Sequence, residues 1–187
     1  MTKNQNKRVL AISLSSRGFG YAAIEGENRL VDFGNKTFYE QFKNAWLMGK
    51  AASVIKWNAP DILVLRDISA KEDSCYKRVR ELHRQIIALA KERKIKVAQI
   101  SGDQVRMALL NNEEATRHEM AQHLATRFPD ELNLRLPLKR KSWNNEHPRM
   151  DIFDAVGLTV AFQLASVTPM HQKQCGKISH AFTNLPL

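Results

Sequence analysis

Two aspartates three residues apart, Asp151 and Asp154 in MDIFDAVGLTVA, are the side chains of this sequence best placed to do chemistry. Residues 149–165 read as a helix in which Ile152, Ala155, Val156 and Thr159 are available for packing. A three-residue step puts both carboxylates on one face of that helix, next to its N-terminus. Such a pair offers the oxygen ligands that hard divalent cations require. It can also serve the helix alone, because acids near an N-terminus are stabilised by the helix dipole.

Cations surround this pair in sequence. Lys139, Arg140 and Lys141 stand before Trp143 in the loop PLKRKSWNNEHP, and Arg149 is two residues before Asp151. Arg17 lies in a turn beside Ser13, and Lys77, Arg78, Arg80 and Arg84 lie mostly off the apolar face of a helix over 76–93. Guanidinium groups suit phosphates because their planar forks donate two hydrogen bonds at once. Trp143 among these cations can stack on a base, or else anchor its loop to the core.

Other chemistries have weaker support. His147, four residues before Asp151, is a candidate acid, base or ligand, or simply a loop histidine. His171, Cys175 and His180 match no common zinc-finger spacing and would need a fourth ligand. Ser13 lacks the Gly-x-Ser-x-Gly elbow of a serine nucleophile. The KERKIK run at 91–96 reads as a solvated helix end.

The elements that position these residues follow from the periodicity. Residues 8–14, FGYAAIE and RLVDFG read as three strands joined by tight turns, an antiparallel meander. Thr37 to Trp57 takes a helical pattern stopped at Asn58-Ala59-Pro60. DILVLR and IKVAQI read as buried parallel strands on either side of the 76–93 helix. Short helices follow over 101–110 and 116–128, then a basic loop, then the helix of Asp151 and Asp154. The order βββ-α-β-α-β-α-α-α predicts a mixed sheet with helices on its faces.

Bulk properties bound the function. The chain has 187 residues, 43% of them hydrophobic, and a formal charge of +10, a surplus that favours polyanionic partners, nucleic acid above all. The two cysteines, Cys75 and Cys175, suggest no disulfide framework, and no run of about 18 apolar residues predicts a membrane span. A reduced, cytoplasmic protein is expected, with one domain over residues 1–167 and a tail over 168–187.

Three segments resemble the RuvC-type Holliday junction resolvases of the RNase H-like superfamily. AISLSSRGFGYAAI is similar to that family's opening hairpin, PDILVLRD to its fourth strand, and MDIFDAVGLTVA to its last helix. The element order agrees over roughly residues 8–165. The resemblance implies an α/β, RNase H-like fold with a mixed five-stranded sheet flanked by helices. It also implies two-metal phosphodiester hydrolysis, with carboxylates from strand one, strand four and the last helix holding two Mg²⁺ ions.

This chain departs from that pattern at two of those positions. Ser13 stands at the strand-one position and Arg66 at the strand-four position, whereas Asp151 and Asp154 keep the matching identity. A guanidinium about 4 Å from a divalent ion is repelled by roughly 8 kcal/mol at an effective dielectric of 20. The same arginine is well made to grip a phosphate. Asp67 would serve as a substitute ligand only if the strand bulged or ended there, since strand side chains alternate faces.

The resulting expectation is a RuvC-like protein that binds branched or duplex DNA with little or no nuclease activity. Arg17, Arg66, Arg78, Lys139, Arg140, Lys141, Trp143 and Arg149 are its candidate nucleic-acid contacts. Two alternatives stay open. One is an Mg²⁺- or Mn²⁺-dependent endonuclease using Asp67, Asp151 and Asp154, with Asp151 and Asp154 as metal ligands. The other is a scaffold subunit that has lost nucleic acid. The resemblance also implies a homodimer.

Overall fold

The computed structural model describes residues 7–26, 28–37, 43–68, 77–141, 143 and 145–167. Five strands form one sheet in the order β3-β2-β1-β4-β5. Strands β1 (Arg8–Ser15), β2 (Gly18–Glu25) and β3 (Arg29–Thr37) are the antiparallel meander, while β4 (Ile62–Arg66) and β5 (Lys96–Ile100) join β1 in parallel. The expected mixed five-stranded sheet flanked by helices is what the chain forms.

Strand alternation sorts the core into two layers. Leu10, Ile12, Leu63 and Leu65 point to one face, covered by α1 (Lys43–Asn58) and α2 (Lys77–Glu92). Val9, Ala11 and Val64 point to the other, covered by α3 (Gly102–Leu110), α4 (Arg117–Arg127) and α6 (Met150–Val167). The last helix is apolar on nearly every side, because it is enclosed between the sheet and its neighbouring helices. Ser101 and Thr116 begin α3 and α4 with full capping boxes, each paired with the side chain three residues on. Gly20 on β2 lets α6 come close: a Cβ there would lie 1.8 Å from the Asp151 carbonyl oxygen.

The boundaries differ from expectation in three places. β3 continues to Thr37 because it pairs with all of β2, so Thr37 is strand rather than the start of a helix, and α1 is described over Lys43–Asn58. Phe38 and Phe42, assigned to the helix by periodicity, lie outside the described residues. Part of the expected loop after Pro129 is helical, as α5 (Pro129–Leu132) and a 3-10 turn at Asn133–Arg135 that bury Leu132. The tail over 168–187, with Cys175, His171 and His180, lies outside the described residues, as does Cys75. No helix among the described residues is long and apolar enough to cross a membrane.

Candidate functional site

Alternation along the strands builds the site. Val9 and Ala11 face α6, so Ser13 and Ser15 do too, and Val64 facing α6 brings Arg66 to the same side. The β1–β4 register sets Ile12 beside Leu65, which places Ser13 and Arg66 at neighbouring strand ends. The first turn of α6 supplies Asp151 and Asp154 above them. Ser13 and Asp151 are buried, and the Ser15 hydroxyl donates to Asp151 Oδ2 at 2.8 Å.

A residue that the sequence reading missed closes the cluster. Arg117, in the first turn of α4, donates from Nε to Asp154 Oδ1 at 3.2 Å and from Nη2 to Asp154 Oδ2. Its Nη2 also lies 3.5 Å from Asp151 Oδ1, and its Nη1 lies 3.6 Å from Glu146 Oε2. One guanidinium thus spans both aspartates and the loop before α6. That loop is also tied to the sheet: Arg17 Nη2 donates to the Glu146 carbonyl at 2.6 Å, and Asn35 Nδ2 to the Pro148 carbonyl at 3.2 Å.

The electrostatics follow from burial and pairing. Burial pushes the Asp151 carboxyl up to about 6; the Ser15 hydrogen bond opposes this, Asp154 adds to it, and Arg117 and Arg17 oppose it. Arg117 cannot cancel the burial because its close contact is with Asp154 rather than Asp151. For Arg117 itself, burial favours loss of its proton, but Asp154, Asp151 and Glu146 together hold it above its ordinary value.

Beside the aspartates, Ser13, Arg66, Arg106, Arg117 and Asp154 line an open cavity of about 210 Å³ whose remaining wall is apolar, with Val105, Leu109, Met120, Leu124, Phe153 and Leu158. Arg66 and Arg106 both reach the start of α3, where a Cβ on Gly102 would lie 3.4 Å from Arg66 Nη2 and 3.5 Å from Arg106 Nη1. Arg106 is held there by Asp103 and the Glu113 carbonyl.

The remaining candidates are placed less centrally. Asp67 follows the last residue of β4 and lies near α2, where its charge acts on His83. The structure does not bring it to the aspartate pair. Burial lowers the pKa of His83, against the opposing effects of the Arg66 carbonyl and Asp67. Arg78 bonds to the Ser16 carbonyl in the β1–β2 turn and to Asn44 at 3.3 Å. Lys139, Lys141, Trp143 and Arg149 are exposed, with Lys141 Nζ 5.6 Å from the Trp143 ring, while Arg140 pairs with Glu146 at 3.7 Å. His147 accepts from the Arg149 backbone N–H at 3.1 Å and so braces its own loop.

The donor set does not fit a pair of divalent ions. Among the described residues no three His, Cys, Asp or Glu side chains gather where they could hold a metal. The two aspartates face a guanidinium, and the positions beside them carry a hydroxyl and a second guanidinium.

No family model matches the chain, and no curated protein matches it. Solved structures do resemble it. The Thermus thermophilus RuvC structure is 16% identical with a TM-score of 0.63, the match covering 86% of this chain and 95% of that one. T. thermophilus RuvC in complex with Holliday junction substrate is 15% identical with a TM-score of 0.63, over 86% of this chain and 94% of that one. The yeast mitochondrial Holliday junction resolvase is 15% identical with a TM-score of 0.59, over 87% of this chain and 80% of that one. At such identities the likeness is one of fold, and it is the RNase H-like fold expected from the sequence.

Proposed function

We propose that this chain is a RuvC-like protein that binds branched or duplex DNA and cuts it little or not at all. The observation that carries this reading is the exchange of charge at one cleft: Arg117 closes the aspartate pair while Arg66 and Arg106 line the space beside it. The formal charge of +10 and the exposed Lys139, Lys141, Trp143 and Arg149 on the loop leading to α6 extend a phosphate-binding surface outward from that cleft. Buried Ser13 packs beneath it without offering a carboxylate. The solved relative that holds a Holliday junction supports a branched substrate. Dimerisation, implied by the resemblance, would set two such clefts on one junction.

The test is a salt titration of binding, in EDTA, to a four-way junction and to a duplex of matching sequence. A steep loss of affinity with salt is expected, and Arg66→Ala should weaken binding and lower the log–log slope by about 1. Absence of measurable binding to either DNA at low salt would overturn the proposal in favour of a scaffold.

A further inference from the structure

The face of the sheet opposite the cleft carries an unusual helix. On α1, Leu47, Ala51, Val54 and Ile55 pack inward, yet two tryptophans remain in solvent, Trp46 at 42% and Trp57 at 83% exposure. At 100° per residue, Trp46, Lys50, Ser53 and Trp57 fall within an arc of about 60°. The eleven-residue step sets their Cα atoms about 16 Å apart along the axis. Lys50 Nζ lies 5.3 Å from the Trp46 ring. The contacts of α1 to α2 and its end, from Asn44 to the Arg78 carbonyl and from Arg93 to the Ala52 carbonyl, leave from the other flank. The stripe therefore faces away from α2.

Charge decides what could cover it. α1 contains lysines at 43, 50 and 56 and no acidic residue. Lys36, over the Tyr21 ring at 5.6 Å, adds a cation on the same sheet face. A second copy docked by this face about a two-fold axis would set the lysines against themselves. A polyanion with flat apolar groups complements it on both counts.

We propose that the Trp46–Trp57 stripe is a binding site for single-stranded nucleic acid, whose bases stack on the two indoles while its phosphates meet Lys50 and its neighbours. That axial step corresponds to about five nucleotides at roughly 3.4 Å each. Stacking of this kind tolerates any sequence, because every base has a π-face. The inference takes its class of partner from the proposed function but uses none of the cleft residues.

The experiment follows tryptophan emission of the full-length Trp143→Phe variant, in which only Trp46 and Trp57 remain, on addition of a short oligothymidylate in EDTA. Quenching is expected. Trp57→Ala and Trp46→Ala should each weaken oligonucleotide binding about five- to a hundredfold, and Trp57→Phe by less. Unchanged emission, or unchanged affinity in both alanine variants, would overturn the inference. So would a dimer seen by sedimentation that Trp57→Ala abolishes while oligonucleotide affinity stays the same. Junction binding by the unaltered chain without oligonucleotide quenching in Trp143→Phe would sink the stripe and leave the proposed function standing; quenching without junction binding by the unaltered chain would do the reverse.

Discussion

At the scale of the residue, the site turns on a guanidinium set against two aspartates. Removing it by Arg117→Ala leaves Asp151 and Asp154 facing each other near a buried hydroxyl, and because Arg117 is partly exposed we expect a loss of about 1–3 kcal/mol in urea unfolding. The freed carboxylates should then make the melting temperature respond to Mn²⁺, whereas that of the parent should not. Asp151 gives a pH signature of its own. Its folded pKa of about 6 exceeds the ordinary value of 3.8, so between these limits the folded chain binds more protons than the unfolded one. Its contribution is favourable at acid pH and lost as pH rises through about 6. Asp151→Asn should remove that fall and stabilise the protein at pH 7 by up to about 3 kcal/mol, measured by urea titration at several pH values. The aspartate pair could be read from its spacing, and Ser13 and Arg66 from the resemblance of their strands to those of RuvC-type resolvases. Arg117 was not, because its partners lie 34 and 37 positions away. Its one local sign was a cation in the first turn of a helix, where the dipole disfavours it.

At the scale of the element, the strand periods and turn residues carried the meander, the two parallel strands and the order of the main helices. The ends were harder to read. The extension of β3 depends on its pairing with β2, and the short α5 depends on Leu132 finding the core, neither of which a local pattern contains. Asp67 lies just past the end of β4 at Arg66, so the strand period does not decide its side; its charge acting on His83 puts it near α2. α6 comes close to β2 at Gly20. A methyl group there would overlap the Asp151 carbonyl, so Gly20→Ala should push the start of α6 outward. We expect a cost of about 1–3 kcal/mol in urea unfolding, together with weaker junction binding.

At the scale of the molecule, the sheet separates two surfaces, an arginine-lined cleft beneath α6 and a tryptophan–lysine stripe on α1. The net charge pointed to polyanions from the outset, but the sequence could not sort its 29 basic residues into those that bind and those that brace, since bracing is made by tertiary contacts. Arg17 and Arg78 bond to carbonyls of neighbouring loops, and Lys139, Lys141 and Arg149 stand in solvent. A cleft that holds DNA without cutting it is tested with a labelled four-way junction, scoring binding in EDTA and cleavage in Mg²⁺ or Mn²⁺ for the unaltered chain and for Ser13→Asp/Arg66→Glu/Arg117→Ala. The unaltered chain is expected to bind and leave the junction intact in either metal, with cleavage emerging only in the triple variant. Metal-dependent cleavage by the unaltered chain would contradict a silent cleft.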